Sequence, residues 1–561
     1  MVVGAGFGVL EAARDAADDC RWRDVYETLS RADQEAALGA GDLELLSTAA
    51  FLTGYRDRSR QASLRAYQIH VNSGERRKAA LAAVSIGLDE LDIAEIAQVS
   101  GCLPASLSSC SAWVAQAAAL LDGEQECVEF GYLLVPVAFE HLAAGSAREE
   151  LEESVRVAER AVELGRRFGD EGLVALAGMV LGRSLIRSRR EHEGLSVLEG
   201  SVSTAVMGDV PVPIAGIVLT AAVNAAEEQW DLLRFDRFVR DLVAWCRLQQ
   251  GMVQFRARAL AHEATLNRLH GSWATALEVA TEATDPAFGD LDQTALADAL
   301  YEQGEIRRLR GELEAAEDAF CRAGEMGRDP QPGLALLRLI EGDTGAAAAS
   351  ITRAVAESNR PLERAKLLSS QVEIGVEAGG GDGAERAARA LAEIADTRDS
   401  PYLDATAKQA RAMLLLATGE PLAALRHLRE ASRVWRHLDM PYEEGRARSL
   451  VARSCEMLGD EDTMVLEAEA AAQIFRQLGA ERDLRGAERI IARDPEEASG
   501  LTNRELEVLR LVANGLTNKE IADRLVVAVR TVDSHVSNLF TKLGVTNRAA
   551  ATAYAHQNGL V

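Results

Sequence analysis

The side chains best placed to do chemistry lie along one predicted helix near the C-terminal end of the sequence, from about Arg530 to Leu543. Four apolar residues recur there at i, i+4, i+7 and i+11, which predicts a core-facing stripe and leaves small polar residues on another face. The stripe is Val532, Val536, Leu539 and Leu543, and the polar face is Asp533, Ser534, Ser537, Asn538 and Thr541. Such side chains can exchange hydrogen bonds with base edges in a DNA major groove, where aspartate can accept from the cytosine amino group.

Further polar residues are predicted to lie at the margins of this face, where a bound duplex would present its phosphates. The full set of predicted DNA contacts is Lys519, Arg530, Thr531, Asp533, Ser534, His535, Ser537, Asn538 and Lys542. For this helix taken alone, an amphipathic helix with a merely solvated polar face is the alternative interpretation.

Helix start and stop signals place this helix third among four. A Ser/Thr-x-x-Glu pair predicts a helix start, because the two side chains cap each other's backbone N–H groups, and a following glycine predicts an end. In chain order the signals are Thr502 with Glu505, Gly515, Thr517 with Glu520, Gly544, Thr546 or Asn547 as a cap, and Gly559. The second and third helices, joined by a short turn, form a helix-turn-helix, in which the later helix enters the major groove.

Residues 501–561 resemble the LuxR-type helix-turn-helix family of bacterial transcription regulators. The residues that carry the resemblance are Leu501-Thr502, Arg504-Glu505, Leu509, Gly515, Asn518-Lys519-Glu520-Ile521-Ala522, Leu525, Thr531-Val532, His535-Val536-Ser537-Asn538, Lys542-Leu543-Gly544-Val545 and Arg548. The resemblance implies a four-helix DNA-binding domain whose third helix reads bases at the positions of Asp533, Ser534 and Ser537. It also implies that the fourth helix helps to pair two domains, so the expected partner is double-stranded DNA bound by a homodimer.

Two residues depart from the family pattern. Ala528 stands where the family usually has serine, and the missing N-cap should cost about 1 kcal/mol of helix stability. Asp533 stands where relatives often carry a basic residue, which weakens the electrostatic attraction to DNA. The second departure bears on affinity rather than on the fold.

Charge is distributed unevenly along the chain. The 561 residues carry a formal net charge of −26 at pH 7, which argues against nucleic-acid binding over the whole surface. Residues 501–561 hold seven basic and five acidic residues, whereas the other 500 hold 54 basic and 82 acidic ones. DNA contact is therefore expected at one end only. The small local excess predicts modest affinity per domain, which a dimer or a contact with RNA polymerase would raise.

Residues 1–491 are predicted to form a tetratricopeptide-like α-solenoid, so the fold class is all-α. Amphipathic segments alternate with short Gly, Asp or Pro breaks, a pattern typical of stacked helical hairpins. In the clearest unit, Gly304, Ala316, Phe320 and Ala323 occupy the small and aromatic positions of a tetratricopeptide repeat, with Gly311 in the turn.

A second internal similarity relates Arg429–Arg448 to Glu469–Glu488 at an offset of 40 residues, matching Trp435 with Phe475. The region resembles the tetratricopeptide-like segment upstream of LuxR-type domains in large bacterial regulators. Residues 376–383 are predicted to be a flexible loop between helices, and residues 492–500 a linker before the domain at 501–561.

No pattern predicts catalysis, a cofactor or a metal. None of the five lysines follows a glycine, so a Walker A loop is absent from the sequence, and the nine histidines include no H-E-x-x-H pair. The seven scattered cysteines favour reduced thiols in a cytosolic protein. No signal peptide is predicted, and the apolar stretch Val210–Ala226, interrupted by two prolines, predicts a buried helix rather than a membrane span. A cytoplasmic protein that is not an enzyme and has no membrane contact is expected.

Two functions are compatible with the sequence. One is a sequence-specific transcription regulator whose repeats sense a protein or small-molecule effector. The other is a helical-repeat interaction scaffold whose terminal helix-turn-helix is not an effective DNA binder, which Ala528, Asp533 and the weak basic charge motivate.

Overall fold

A computed structural model describes residues 3–90, 105–144, 147–288, 292–358, 360–492, 501, 503–525 and 527–557. Within these ranges the regular structure is helical, with one isolated bridge between Arg21 and Gln250. The all-α fold class is therefore confirmed.

The chain forms two compact units, one of Met1–Ala447 with Leu478–Ala480 and one of Arg448–Gln477 with Glu481–Val561. Helices are numbered here in chain order over the described residues. The first group is α1 Val3–Asp18, α2 Trp22–Glu35, α3 Ala40–Leu52, α4 Arg56–Asn72, α5 Arg76–Glu90, α6 Ala105–Leu121, α7 Val128–Ala144, α8 Arg148–Phe168, α9 Glu171–Arg187, α10 Glu191–Met207, α11 Val212–Glu228, α12 Leu232–Leu248, α13 Arg256–Leu269 and α14 Trp273–Glu282, followed by a 3₁₀ turn at Pro286–Phe288. The remaining helices are α15 Gln293–Arg310, α16 Leu313–Glu325, α17 Gly333–Ile340, α18 Thr344–Glu357, α19 Pro361–Glu377, α20 Gly381–Asp396, α21 Pro401–Ala417, α22 Pro421–His437, α23 Pro441–Leu458, α24 Glu461–Leu478, α25 Glu481–Ile491, α26 Asn503–Ala513, α27 Asn518–Leu525, α28 Val529–Lys542 and α29 Arg548–Gln557.

Local sequence explains many of the helix ends. Proline is the first residue of α19, α21, α22 and α23, where its fixed φ fits and its missing N–H is not needed. Aspartate side chains accept from backbone N–H groups at the starts of α9, α12, α15 and α18, which satisfies donors that the helix itself leaves open.

The pair α15–α16 has the packing that its repeat spacing predicts. A Cβ placed on Gly304 would lie 2.6 Å from ring atoms of Phe320, so only glycine lets the two helices approach this closely. Phe320 is fully buried beside Tyr301, with ring centroids 5.5 Å apart. Gly311 ends α15 with φ +83, a left-handed conformation that favours glycine.

The 40-residue similarity also appears in the helices. The pair α22–α23 begins at Pro421 and Pro441, and the pair α24–α25 begins at Glu461 and Glu481. Trp435 and Phe475, the matched aromatics, are both 1% exposed. The offset of 40 is thus a structural repeat of one helical hairpin.

Two details of the predicted loops are wrong. The loop expected at 376–383 spans only residues 378–380, because α19 continues to Glu377 and α20 begins at Gly381. The small residues around Gly182 and Gly194 also predict turns, but both glycines lie inside α9 and α10, where a Cβ on either would come within 3 Å of the other's carbonyl oxygen. Glycine there serves close helix packing instead.

The apolar stretch that begins at Val210 forms α11, with a largely buried surface, as predicted. None of the helices in the described part of the chain is both long enough and apolar enough to cross a membrane.

Contacts between segments far apart in sequence link distant parts of the first unit. Trp22 donates from Nε1 to Gln249 Oε1 at 2.8 Å. Trp230 stacks on Tyr402 with ring centroids 4.6 Å apart and donates from Nε1 to the Leu362 carbonyl at 3.2 Å. The repeats of this unit are therefore joined by more than contacts between neighbours.

Candidate nucleic-acid interface

The four C-terminal helices α26 to α29 pack around two apolar clusters, both of which include residues of α26. Leu506 and Leu509 of α26 pack with Leu539, Ala551 and Ala555 in one cluster. The other contains Val508, Val512, Ile521, Ala522, Val532 and Val536. Helix α28 contributes to both clusters, so its apolar stripe is fixed and its opposite face must point to solvent.

Several predicted helix caps are present. Glu520 Oε2 accepts from the Thr517 backbone N–H at 2.7 Å, and Thr517 Oγ1 accepts from the Glu520 N–H at 3.4 Å, which is a reciprocal capping box. The Thr517 backbone N–H and the Thr517 hydroxyl both donate to the Glu520 carboxylate, and these two hydrogen bonds lower the pKa of Glu520. Asn547 caps α29 through the N–H of Ala550 at 2.8 Å. Gly515 and Gly544 have φ +80 and +63, as helix-ending glycines should.

The other positions considered as helix caps are Ala528, Thr502 and Gly559. Ala528 is the N-cap of α28 and makes no side-chain cap hydrogen bond. The proposed first capping residue, Thr502, and the proposed terminal glycine, Gly559, lie outside the described residues.

The predicted reading face is solvent-exposed over its length. Val532, Val536 and Leu539 are buried, and the exposed predicted contacts are Lys519, Arg530, Thr531, Asp533, Ser534, Ser537, Asn538 and Lys542, with His535 partly buried. Ser534 donates to the Arg530 carbonyl at 3.2 Å, which leaves its oxygen free to accept. The face is a contiguous row of short donors and acceptors without a bulky apolar side chain.

A chain of hydrogen bonds holds one of these side chains in place. Asn518 Nδ2 donates to Asp533 Oδ1 at 2.8 Å, Arg548 Nη1 donates to Asn518 Oδ1 at 3.0 Å, and Arg548 also donates to the Leu516 carbonyl. The carboxylate is thereby oriented from α27 and α29. Neither Asn518 nor Arg548 was among the predicted contacts, although both belong to the residues that carry the family resemblance.

Lys542 is tied to the core of the domain. Its Nζ lies 2.6 Å from Glu505 Oε2, and the Glu505 side chain is only 6% exposed. A buried carboxylate needs such a partner, so a phosphate contact by Lys542 would compete with this ion pair. Lys519 and Arg530, by contrast, are exposed and form no ion pair among the described residues, so their charges are available to a polyanion.

Residues 499–555 match the model of the luxR family of bacterial regulatory proteins. This C-terminal segment is therefore a LuxR-type helix-turn-helix domain. The chain is similar to the transcriptional regulatory protein LiaR of Bacillus subtilis, 51% identical over 61 residues, and to LnrK of the same organism, 41% identical over 97 residues. It is 46% identical over 61 residues to the response regulator protein VraR of Staphylococcus aureus.

These alignments cover 11%, 17% and 11% of this chain. They span 29%, 43% and 29% of the length of LiaR, LnrK and VraR. Since less than half of each relative is matched, the similarity concerns the LuxR-type helix-turn-helix domain and not the whole protein.

Two solved structures are similar over most of the chain. The Cut9 and Hcn1 hetero-tetramer of the APC/C matches with a TM-score of 0.33 at 11% identity, covering 85% of this chain and 95% of that one. Yeast Tom70 matches with a TM-score of 0.27 at 14% identity, covering 87% of this chain and 96% of its own. The assignment of helical repeats stands on the helix pairs described above.

Proposed function

We propose that this protein is a sequence-specific, DNA-binding transcription regulator. Its α28 enters the major groove of double-stranded DNA, with Asp533, Ser534 and Ser537 at the base edges. The observation that carries the proposal is the exposed polar face of α28 on a LuxR-type domain, with Asp533 oriented by Asn518. Preorganised side chains lose less entropy when they meet a base, which favours specific contact.

The surroundings of that face fit phosphate contact. Lys519 and Arg530 supply exposed charge, and Thr531 and Asn538 supply neutral donors, as protein contacts to the sugar–phosphate backbone commonly do. Each domain alone has few such charges, so the functional form on DNA is proposed to be a homodimer, helped by a contact with RNA polymerase. The repeats sense an effector or partner in the cytoplasm, without enzymatic activity.

Genome-wide mapping of DNA bound by the full chain tests the proposal. The wild type is expected to give discrete peaks that share a sequence motif, and the double variant Asp533→Ala, Ser537→Ala should lose them. The matched control changes an acid and a hydroxyl that lie away from the reading face of α28, Asp523→Ala with Thr546→Ala, both exposed, and should keep the peaks. Equal peaks in the wild type and the first double variant would contradict the assigned reading face.

A second candidate function is an interaction scaffold whose terminal domain does not bind DNA effectively. The uncapped start of α28 at Ala528 and the engagement of Lys542 by Glu505 favour it. A binding assay on the full chain at low salt distinguishes the two functions. Sequence-selective binding that weakens steeply with salt supports the regulator, and absence of binding by abundant folded protein supports the scaffold.

A further inference from the structure

The first turn of α28 contains an apolar side chain that the core of the domain does not use. Val529 is the first residue of this helix and is 43% exposed. It belongs to neither of the two apolar clusters of the described C-terminal helices, whereas Val527 packs against one of them. Burial therefore does not explain a valine at position 529.

Helix stability does not explain Val529 either. The first helical position favours proline, whose fixed φ suits it, and the first turn favours acidic side chains, which interact with the helix dipole. Helix α28 has no acidic residue in its first turn, and Ala528 before it makes no side-chain cap. Valine is also β-branched and loses side-chain freedom in a helix. Its methyl groups are thus available for an interaction that the domain itself does not make.

Single exposed apolar residues are common on protein surfaces, but Val529 is distinguished by its position. Asp533 and Ser537 follow it at i+4 and i+8, and residues four apart lie above one another on a helix. All three are exposed. In helix-turn-helix proteins the N-terminal residues of the second helix contact base edges, so Val529 extends the row of Asp533 and Ser537 by one turn in the direction of the DNA.

The carboxylate of Asp533 has one oxygen engaged and one available. Asn518 Nδ2 donates to Asp533 Oδ1 at 2.8 Å, and Arg548 Nη1 donates to Asn518 Oδ1 at 3.0 Å. Because a guanidinium only donates and an ionised carboxylate only accepts, the Asn518 amide has a single orientation in this chain. Oδ2 of Asp533 accepts no hydrogen bond from the described residues and can accept one from a base.

An acceptor and a methyl group select different bases in the major groove. A carboxylate can accept only from an amino group, which cytosine and adenine present there, whereas guanine N7 and O6 and thymine O4 are acceptors that repel it. Adenine also places its N7 acceptor beside the amino group, so cytosine is the better match. The apolar group of the groove is the thymine C5-methyl, which a valine side chain can contact.

We propose that Val529 is a specificity-determining residue that packs on the C5-methyl group of a thymine, while Asp533, held by Asn518, accepts from the amino group of a cytosine. Four residues span about 6 Å along a helix, and base pairs follow one another about every 3.4 Å. The two bases are therefore one or two base-pair steps apart. Asn518 and Arg548 are positioning residues. The assignment rests on the proposed function and names bases that its reading helix requires.

Selection of DNA by the full-length protein tests the assignment. The probe is a pool of duplexes with a randomised central segment, from which the wild type is expected to retain a shared motif. That motif should contain a thymine and a cytosine, on either strand, with no more than one base pair between them.

Replacement of thymine by uracil tests the Val529 contact, since uracil differs from thymine only in lacking the C5-methyl group. Each thymine of the motif is replaced singly, and one replacement should weaken binding by the wild type about fourfold, as expected for one buried methyl-sized group. Val529→Ala should bind the original duplex about fourfold more weakly and should not distinguish uracil from thymine at that position, which is the signature of a direct contact.

A matched control changes the same residue type at a similar exposure. Val71 of α4 is 42% exposed, and Val71→Ala should distinguish uracil from thymine as the wild type does. Since the Val529 side chain is exposed, Val529→Ala should melt at the temperature of the wild type, which shows that weaker binding is not lost folding.

Two variants test the cytosine contact. Asp533→Asn introduces an amide that pairs well with adenine, so selection from the pool should shift from cytosine to adenine at that position. Asn518→Ala frees the Asp533 carboxylate and should reduce the preference for cytosine about fivefold, because a side chain that is no longer preorganised loses more entropy on binding. The effect of uracil should persist in Asn518→Ala, since Val529 is unchanged, whereas a merely unfolded domain would lose both preferences.

The assignment is overturned if the selected motif lacks the thymine and cytosine at this spacing, if uracil affects the wild type and Val529→Ala equally, or if Asp533→Asn still selects cytosine. Each of these results, with a motif still selected by the wild type, leaves the proposed function standing. If folded wild-type protein selects no sequence from the pool, the proposed function is contradicted, and the base assignment with it.

Discussion

At the scale of single residues, burial decides which protonation state a side chain can adopt. His262 lies between Asn224 and Glu227 and is 6% exposed. Burial, with the nearby Arg258 charge, lowers its pKa from an ordinary value of 6.5 to about 4. The folded protein therefore holds this imidazole neutral over a range in which the unfolded chain takes up a proton.

This difference predicts an acid-sensitive contribution of His262 to stability. A folded-state pKa below the unfolded value means that the contribution is fully present above pH 6.5 and is lost as the pH falls from 6.5 to about 4. The full loss corresponds to about 3 kcal/mol. Glu227 and Asp298, whose pKa values burial raises, act in the opposite direction, so the wild-type profile alone does not isolate the histidine.

Melting temperatures of the wild type and of His262→Gln, measured between pH 7.5 and pH 5, isolate it. Glutamine can still donate to Asn224 and cannot take up a proton. We expect the wild type to be the more stable protein at pH 7.5 and its advantage to shrink steadily towards pH 5. An advantage that is constant across this range would contradict the assigned neutral state.

At the scale of helices, the sequence predicts features that depend on local sequence patterns. It misses contacts between residues that lie far apart in the chain. The capping box at Thr517 and Glu520 and the glycine ends follow from spacing within a few turns, and the hairpin repeat follows from an internal similarity at a fixed offset of 40 residues. The structure contains all of them. The exposed polar face of α28 likewise followed from its apolar stripe.

The missed residues act across the domain. Asn518 binds Asp533 from 15 residues away, and Arg548 in turn binds Asn518 from 30 residues away. Glu505 binds Lys542 from the first helix of the domain. Gly182 and Gly194 were wrongly predicted to lie in turns, because a glycine in a turn and a glycine at a helix crossing look alike in sequence. The ion pairs of Arg258 with Asp292 and of Arg268 with Glu302 were not predicted at all, since their members come from segments that only the fold brings together.

The N-cap of α28 gives a prediction at this scale. Ala528 already has the extended conformation of a cap, with φ −69 and ψ 143, but offers no acceptor. Ala528→Ser should therefore stabilise the C-terminal domain by about 1 kcal/mol without moving the backbone. Asn547→Ala, which removes the existing cap on Ala550, should destabilise it by a similar amount.

Hydrogen exchange of α26 to α29 in the full-length protein measures both changes. The serine variant should slow exchange in α28 and the alanine variant should speed it in α29. If both variants exchanged as the wild type does, capping would not limit the stability of these helices.

At the scale of the whole molecule, charge and long-range contacts differ between the parts of the chain. The acidic excess lies before residue 501, which disfavours contact with DNA outside the C-terminal domain. In a simple repeat array each repeat touches only its neighbours, and stability is a sum of local terms. The first unit departs from that behaviour because Trp230 joins segments that are separated by 132 and more residues.

Trp230 therefore gives a test of how far the repeats unfold together. Trp230→Ala removes the stack on Tyr402 and the hydrogen bond to Leu362, and should cost about 2–3 kcal/mol. Since Tyr402 in turn packs against Trp435 at 5.4 Å, the loss should spread, and amides of α19, α21 and α22 should exchange faster together. Tyr55→Ala is the matched control, because Tyr55 stacks on Tyr26 at 4.3 Å within neighbouring helices and should affect only α2 to α4. If only the amides of the turn around Trp230 exchanged faster, the first unit would behave as an ordinary array of independent repeats despite its long-range contacts.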